Sequence, residues 1–196
     1  MLDSENDVNP RRILLQRLAA LSLAGFAGGL LAQTSKKGTA TVADLKDIET
    51  NWKTLLAANA KVASAAEPLR LADADWKKRL APAAYDVLRH EGTERPGSSP
   101  LNNEKRAGVY VCAGCDLPMF TSAMKYDSGT GWPSFFTAIP NSFGTRRDFK
   151  LLLPRTEYHC IRCEGHHGHV FNDGPAPTGL RYCNNGVALR FIAREA

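Results

Sequence analysis

The first half of the chain carries the apolar spacing of helices. Apolar residues recur every three or four positions between residues 42 and 56, inside an extension, residues 33–70, that is rich in Ala, Lys and Thr. This period predicts a single amphipathic helix, packed loosely on the main domain. Proline cannot continue a helix, so Pro68 ends the pattern.

Residues 71–196 are predicted to form the main domain, which opens with two short helices. Asp73 or Asp75 is placed to cap a helix that runs through Leu80, because aspartate accepts hydrogen bonds from the first backbone amides. Pro82 suits the first turn of a second helix.

Beyond residue 100, apolar residues come in short runs separated by Gly, Pro and Asn, a pattern typical of strands and turns. The runs predict strands at residues 109–111, 135–139, 149–153, 157–160, 169–171 and 187–192. Strands this short, preceded by helices, predict a mainly β fold: an antiparallel β domain with helices on its N-terminal side.

The N-terminus has the composition of a targeting segment. Arg11 and Arg12 are followed by apolar residues, and residues 18–35 carry no charge. With Ala32 as a small residue for cleavage, residues 1–32 are predicted to be a bacterial twin-arginine export signal, which places the protein in the periplasm. The alternatives are an uncleaved membrane anchor and a buried helix. The apolar run is short and contains glycine, whereas a spanning helix needs about 20 residues, so no stable insertion is expected after cleavage.

Composition limits the class of protein. Of the 196 residues, 43% are hydrophobic and 23% are charged, as in soluble globular proteins and unlike disordered ones. The formal net charge of +5 comes from scattered basic residues, so we expect no nucleic-acid partner. Five cysteines are too few for a disulfide-rich scaffold of this length.

Four of the five cysteines form two C-x-x-C pairs. Two such turns can close a tetrahedral shell of thiolates, and a shell with no open position is structural, so the pairs predict one structural zinc ion. The competing interpretation is two disulfides or redox dithiols. Neither pair is followed directly by histidine, so covalent haem attachment is not indicated. The predicted zinc ligands are Cys112, Cys115, Cys160 and Cys163.

The fifth cysteine, Cys183, has no partner in this scheme. It follows a histidine cluster that includes His166 and His169, and Arg181 would share its face of a strand. A thiol beside histidines and a basic residue is suited to nucleophilic or redox chemistry, because the thiolate is the reactive form. The alternative is a buried cysteine that fills core space, with histidines that are structural or bind metal.

The stretch SGTGWPSF holds Trp132 between glycine and proline, outside regular structure. An indole there either lines a pocket or caps the domain core.

Five stretches resemble, in order, the methionine-R-sulfoxide reductases of type B: YDVLRHEGTE, YVCAGCDLPMF, KYDSGTGWPSF, HCIRCEGHHGHVFNDGP and PTGLRYCNNGVALRF. The match covers about residues 73–193. The resemblance implies two antiparallel β-sheets with peripheral helices and a zinc ion on the four paired cysteines. It also implies an enzyme that reduces the R epimer of methionine sulfoxide, mainly in proteins, and so repairs oxidative damage.

The resemblance further implies roles for individual residues. Cys183 would attack the sulfoxide sulfur and become a sulfenic acid while methionine is released. An acid is needed because the sulfoxide oxygen must finally leave as water, and histidine suits that role near neutral pH. The implied catalytic residues are Cys183, His169, His166 and Asn185. The implied substrate-binding residues are Trp132, whose indole would receive the methyl group, and Arg181.

Two departures from the family pattern matter. Many members place a resolving cysteine at the position of Thr130, so here the sulfenic acid is expected to be reduced by an external thiol or a thioredoxin-like donor. His167 stands where the family more often has an apolar residue, and we expect no catalytic role for it. The expected partners are therefore oxidised proteins or peptides and a thiol reductant, and the expected state is a monomer.

Two other functions compete with this one. A zinc-knuckle binding module for protein or nucleic acid would bury Cys183 as an inert thiol, but it would favour clustered basic charge, which the chain lacks. A thiol–disulfide oxidoreductase would use the C-x-x-C pairs, and stoichiometric zinc would exclude it.

Overall fold

The computed structural model describes residues 41–63 and 67–194. The predicted export signal, residues 1–32, and parts of the predicted extension lie outside the described residues. In the part of the chain that is described, no helix combines the length and the apolar character needed to cross a membrane.

The first helix, α1 (Val42–Thr50), begins with a capping box in which Asp44 N–H donates to Thr41 Oγ1 at 3.2 Å and Thr41 N–H donates to the Asp44 carboxylate at 2.8 Å. The sequence pattern predicts one helix through residue 56. Instead, α1 ends at Asn51 and a 3-10 helix follows at Trp52–Leu55. The Asn51 side chain donates to Asp47 Oδ1 at 2.6 Å, a local bond of the kind that ends helices.

Two further helices lie where the sequence predicts them: α2 (Asp73–Arg79) and α3 (Pro82–His90). The predicted aspartate cap is wrong, because Ala72 occupies the cap position and makes no side-chain hydrogen bond. Asp73 and Asp75 lie inside the first turn, where their charges favour the positive end of the helix dipole.

The described residues contain nine strands, all beyond residue 107: β1 (Gly108–Cys112), β2 (Pro118–Thr121), β3 (Lys125–Tyr126), β4 (Ser134–Phe135), β5 (Phe143–Asp148), β6 (Arg155–Cys160), β7 (His166–Phe171), β8 (Arg181–Asn184) and β9 (Leu189–Ala193). They make two antiparallel sheets, one in the order β2-β1-β9 and one in the order β3-β4-β8-β7-β6-β5. Short 3-10 helices lie at Pro100–Asn103, Ser122–Met124 and Gly186–Ala188. The prediction of a mainly β fold with two antiparallel sheets and few helices is confirmed.

Three predicted strands differ from the structure. Residues 149–153 are not a strand but the exposed loop between β5 and β6, because the paired strand ends at Asp148. Of residues 135–139 only Phe135 is in a strand, and the rest is buried irregular chain. The last strand begins at Leu189, since a 3-10 helix occupies the residues before it.

The core lies between the two sheets. Phe120 of β2 stacks on Phe135 of β4 with ring centroids 4.0 Å apart, and it also meets Tyr158 of β6 and Tyr182 of β8. Because side chains alternate along a strand, the neighbours of these tyrosines point to the other face of the six-stranded sheet. That face carries the polar residues discussed next.

Candidate active site

The polar face of the six-stranded sheet brings the predicted nucleophile and a predicted acid together. Cys183 on β8 is the direct cross-strand partner of His169 on β7 and, on its other side, of Ser134 on β4. Directly opposed residues point to the same face of a sheet, with Cβ atoms about 5 Å apart. The Cys183 thiol is half-buried there.

A β-bulge brings the second histidine to the same face. Tyr158 pairs with Gly168 and His159 pairs with His166, so His167 is an extra residue on β7. In a regular strand, residues three positions apart would point to opposite faces, and the bulge reverses this. The rings of His166 and His169 consequently lie side by side, with centroids 5.4 Å apart.

A cavity of about 130 Å³ opens at the thiol. Of the residues predicted for the site, Cys183, His169, Asn185 and Trp132 line this cavity, whereas His166 and Arg181 do not. The full lining is Thr93, Trp132, Arg155, Gly168, His169, Phe171, Cys183, Asn184 and Asn185. The local sequence leaves Trp132 either lining a pocket or capping the core, and the structure puts its side chain at the pocket.

Asp148 fixes the ring of His169. The Asp148 Oδ2 atom lies 2.7 Å from His169 Nε2 and accepts a hydrogen bond from Arg155 Nη2 at 2.6 Å. The backbone N–H of Lys150 holds the pKa of Asp148 well below its usual range, and the bonds to His169 and Arg155 add to this effect. Burial lowers the pKa of His169, and the hydrogen bond with Asp148 opposes that shift.

Glu157 holds His166 in the same way. His166 Nδ1 lies 2.8 Å from Glu157 Oε1, and Arg146 Nε lies 2.6 Å from the other carboxylate oxygen. Burial of Glu157 opposes its ionisation, but its interactions with His159, His166 and Arg146 outweigh burial and place the pKa of Glu157 well below its usual range. Each of the two neighbouring histidines therefore has an ionised carboxylate of its own.

The Cys183 thiol is held mainly in its neutral form. Burial raises its pKa above the ordinary value, and the nearby charge of Arg181 and the Thr130 hydroxyl only partly offset this. The Arg181 guanidinium binds both oxygens of Asp173, at 2.8 and 2.9 Å, and lies over the ring of Phe171 at 4.3 Å. The positive charge of Arg181, which acts on the Cys183 sulfur, is therefore shared with the Asp173 carboxylate.

Glu94 holds Trp132 and Asn185 in position by hydrogen bonds. Glu94 accepts a hydrogen bond from the Trp132 indole N–H at 3.1 Å through its carbonyl oxygen, and its own N–H donates to Asn185 Oδ1 at 3.0 Å. The Glu94 carboxylate accepts from the N–H groups of Gly186 at 2.5 Å and Val187 at 3.1 Å. Asn185 Nδ2 also donates to the His167 carbonyl at 3.0 Å, so one amide N–H and one lone pair remain for a ligand.

Thr130, at the position where many relatives are expected to have cysteine, ends a chain of hydroxyl groups. Ser134 Oγ donates to the Trp132 carbonyl at 3.1 Å and lies 2.7 Å from Ser128 Oγ, which lies 2.9 Å from Thr130 Oγ1. The Thr130 side chain also interacts with the Cys183 thiol and acts to lower its pKa. A side chain at position 130 is therefore within reach of the thiol.

His167 lies on the core side of the sheet. It is fully buried, stacks on Tyr158 with ring centroids 6.2 Å apart, and bonds Asn184 Oδ1 at 3.2 Å. Burial lowers its pKa to about 4, so the ring is neutral at physiological pH. His167 is therefore a neutral core residue that does not line the cavity.

The four paired cysteines form a separate cluster. Their Sγ atoms all lie within 4.8 Å of one another and are buried, with Cys112 3.6 Å from Cys163 and Cys115 3.5 Å from Cys160. These separations exclude disulfides, whose sulfur atoms are about 2.05 Å apart. Four thiolates at Zn–S bonds of about 2.3 Å would be about 3.8 Å apart, so the cluster can hold a tetrahedral metal ion.

Sequence reasoning missed several residues of the site: Glu94, Asp148, Arg155 and Glu157. Arg155 and Glu157 alternate along RTEYHC and could have been placed on one polar face from that pattern. Asp148 is missed because the sequence pattern predicts a strand that begins after it, whereas β5 ends at it. Nothing local to Glu94 signals that its main chain bridges Trp132 and Asn185.

The geometry is that of a cysteine-dependent enzyme: a single accessible thiol in a small pocket, with two anchored histidines, separate from a closed metal cluster. Comparison with known proteins agrees. A model of the SelR domain matches residues 80–193. The chain belongs to the SelR-domain family of peptide methionine sulfoxide reductases of the MsrB type, which confirms the resemblance drawn from its motifs.

Three relatives illustrate the similarity. A peptide methionine sulfoxide reductase MsrB of Agrobacterium fabrum is 50% identical over 120 residues, which are 61% of this chain and 89% of that protein. An MsrB of Pseudomonas putida is 52% identical over 122 residues, or 62% and 92% of the two chains. The chloroplastic peptide methionine sulfoxide reductase B1 of Arabidopsis thaliana is 46% identical over 138 residues, or 70% and 68%. Among solved structures, the Mis18 "Yippee-like" domain matches 46% of this chain and all of its own at 20% identity, with a TM-score of 0.37 that supports no argument.

Proposed function

We propose that this chain reduces the R epimer of methionine sulfoxide, mainly in proteins, through a sulfenic acid on Cys183. The observation that carries the proposal is the pairing of the Cys183 thiol with His169 in one small cavity. The relatives named above are peptide methionine sulfoxide reductases, and this family membership supports the same substrate class for this chain.

The cavity suits a methyl sulfoxide group. Its volume of about 130 Å³ is small, and Trp132 supplies an apolar wall on which a methyl group can rest. The free N–H of Asn185 and the imidazole of His169 are donors for a sulfoxide oxygen. An asymmetric arrangement of one apolar wall and two donors distinguishes the epimers, because exchanging methyl and oxygen would place the oxygen against the indole.

The reaction follows from these contacts. The thiolate of Cys183 attacks the sulfoxide sulfur while a proton passes from His169 to the oxygen. Oxygen then moves to Cys183, which becomes a sulfenic acid, and the substrate sulfur leaves as the thioether of methionine. Cysteine sulfur is oxidised by two electrons and methionine sulfur is reduced by two. Glu157 holds the ring of His166 beside the ring of His169. His166 is therefore placed to stabilise the His169 ring when it gives up its proton.

The sulfenic acid must be reduced by a thiol from outside the chain. The sequence has five cysteines, and the other four form the separate cluster. One external thiol condenses with the sulfenic acid and releases water, and a second thiol frees Cys183 by forming a disulfide with the first. We infer a small thiol or a thioredoxin-like donor, as the lack of a cysteine at Thr130 predicts.

We infer that the four-cysteine cluster holds one structural zinc ion. The ligands would be Cys112, Cys115, Cys160 and Cys163, which fully occupy a tetrahedral shell. A bound ion would tie the β1–β2 turn to the β6–β7 turn and supply folding energy, with no position for substrate.

The localisation and the oligomeric state are proposals made from the sequence. We propose that residues 1–32 export the protein to the periplasm, with an uncleaved membrane anchor as the alternative, and that the enzyme is a monomer. Size-exclusion chromatography and the N-terminal sequence of protein from periplasmic and membrane fractions test both proposals.

The experiment for the function uses the full-length zinc-loaded protein. Separate R and S epimers of a peptide methionine sulfoxide are incubated with dithiothreitol, and methionine is quantified for the wild type and for Cys183→Ser. We expect turnover of the R epimer alone, abolished by the substitution. Turnover of both epimers, or turnover by Cys183→Ser, would contradict the proposal. A folded, zinc-loaded protein that reduces neither epimer would favour the binding-module alternative.

A further inference from the structure

The loop between β5 and β6, residues 149–153, exposes an unusual amount of apolar surface. Phe149 is 72% exposed, Leu151 57%, Leu152 100% and Leu153 76%. In the described part of the chain only two other large apolar side chains are exposed, and to a smaller extent: Leu71 at 36% and Ile161 at 41%. Contiguous exposed apolar residues of this kind mark interaction sites. The packing of the domain gives no reason for this loop, the 149–153 loop, to be apolar.

Both ends of the 149–153 loop are attached to the candidate active site. The residue before the loop is Asp148, which bonds His169 at 2.7 Å. Two positions after Leu153 comes Arg155, which lines the cavity beside Cys183 and bonds Asp148 at 2.6 Å. The apolar loop therefore directly follows a residue that holds His169 and leads, two positions later, to a residue that lines the cavity.

We propose that the 149–153 loop is a docking surface for apolar residues that flank the methionine sulfoxide in an oxidised polypeptide. This inference rests on the proposed function. The cavity of about 130 Å³ has room for the sulfoxide side chain but not for its neighbours, which must lie on the rim. In an extended peptide each residue advances about 3.4 Å, so residues two to four positions away lie about 7–14 Å from the pocket, where a loop anchored at both ends to the site can contact them.

The charges around the loop favour this occupant over an anionic surface. Lys150, the one charged residue of the loop, pairs with Glu91 at 2.5 Å, and Arg146 pairs with Glu91 at 2.6 Å. Arg155 is occupied by Asp148. Exposed Arg147 beside the loop makes no ion pair among the described residues, but one free arginine is far fewer than the cluster of basic residues that anionic lipid attracts. The paired basic residues attract anionic lipid weakly, whereas the four apolar side chains remain available to an apolar peptide.

The selectivity of the loop is tested with three substrates and dithiothreitol as the reductant, so that docking of a protein donor does not contribute. The substrates are N-acetyl-methionine-R-sulfoxide, a peptide with leucines and phenylalanines around methionine-R-sulfoxide, and a peptide of equal length with serines there. The variant is Phe149→Ser/Leu152→Ser/Leu153→Ser in the full-length zinc-loaded protein. The matched control is Leu71→Ser, which removes an exposed leucine that does not line the cavity.

We expect the wild type and the control to prefer the apolar peptide by about tenfold in kcat/KM, and the triple variant to lose this preference. The variant should reduce N-acetyl-methionine-R-sulfoxide at the wild-type rate. An unchanged preference, or an equal loss on all three substrates, would overturn the inference. If the wild type binds phosphatidylglycerol vesicles, the triple variant does not, and both keep the same peptide preference, the loop would be assigned to a lipid surface instead. No turnover of any substrate would overturn the proposed function, whereas turnover without preference would overturn only the docking surface.

Discussion

His169 and Cys183 face each other as register partners on two adjacent strands. The proposed nucleophile and the proposed proton donor are therefore positioned by the hydrogen-bond ladder of a sheet rather than by mobile loops. A one-residue slip of β8 would move the thiol to the core side, because successive side chains point to opposite faces. The proposed reaction therefore depends on the register between β7 and β8.

Asp148→Asn should lower activity by changing the pKa of His169. The reactive form combines a thiolate with a protonated imidazole, yet burial raises the pKa of Cys183 and lowers that of His169. At a pH between the pKa of His169 and the pKa of Cys183, this reactive form is a constant minor fraction of the enzyme. That fraction falls about tenfold for each unit by which the pKa of His169 drops. The hydrogen bond with Asp148 raises the pKa of His169, so its loss should lower the plateau of kcat/KM.

The measurement is the pH profile of kcat/KM on the R epimer. We expect the acid limb of Asp148→Asn to move to lower pH together with the lower plateau. Asp75→Asn, which changes an exposed carboxylate on α2, should reproduce the wild-type profile. A lower plateau with an unmoved acid limb would show that Asp148 acts only on the packing of the site.

Glu157→Gln should destabilise the fold in a pH-dependent manner. The folded-state pKa of Glu157 lies below its unfolded value of 4.5, so its contribution is complete above about pH 4.5 and is lost as the pH falls below that value. At pH 7 the substitution weakens a buried network with His166 and Arg146, and we expect a loss of roughly 2 kcal/mol in the free energy of unfolding.

Denaturant unfolding at pH 7 and at pH 3 measures this effect. The difference between wild type and Glu157→Gln should shrink at pH 3, because the wild type then loses part of the contribution from Glu157. A difference that is equal at both pH values would contradict the assignment of an ionised carboxylate.

Thr130→Cys should convert the protein into an enzyme with an internal disulfide. Thr130 interacts with the Cys183 thiol and acts to lower its pKa, so a thiol at position 130 is placed near the sulfenic acid and can condense with it and release water. After one turnover without reductant, peptide mapping should find a disulfide between positions 130 and 183. Thr130→Ser, which keeps the hydroxyl, should behave as the wild type and form no disulfide within the chain.

Cys115→Ser should remove the proposed zinc ion and destabilise the domain. One ligand of a buried tetrahedral cluster is lost, and structural zinc contributes folding energy directly. We expect less than one zinc per chain and a Tm lower by at least about 10 °C. Cys183→Ser should retain the metal and the Tm of the wild type, and equal zinc contents in both variants would contradict the assignment of ligands.

Much of the fold and site could be predicted because the chemistry is local in the sequence. The C-x-x-C turns, the short strands and the lone Cys183 are visible in the residues themselves. The bulge at His167 is not, since it depends on how β7 pairs with β6, and it decides which histidines share a face. The carboxylates that hold the two histidines come from other strands, so only the register of β5, β6 and β7 reveals them.

The 149–153 loop shows where pattern reasoning fails. A run of Phe and Leu has the composition of a buried strand, and local pattern alone places it in the sheet. The structure instead ends β5 at Asp148, whose side chain is bonded to His169, and leaves the run exposed. Composition alone does not distinguish such an exposed apolar run, which is typical of an interaction site, from a buried strand.

The most direct test of the account is a single turnover without reductant. Full-length zinc-loaded protein is mixed with one equivalent of peptide methionine-R-sulfoxide, and the methionine released and the intact mass are measured after trapping with dimedone. We predict about one methionine per chain and one dimedone adduct, mapped to Cys183. Methionine formed without an adduct at Cys183, or an oxidised cysteine in the metal cluster instead, would contradict the central claim that this single thiol performs the reduction.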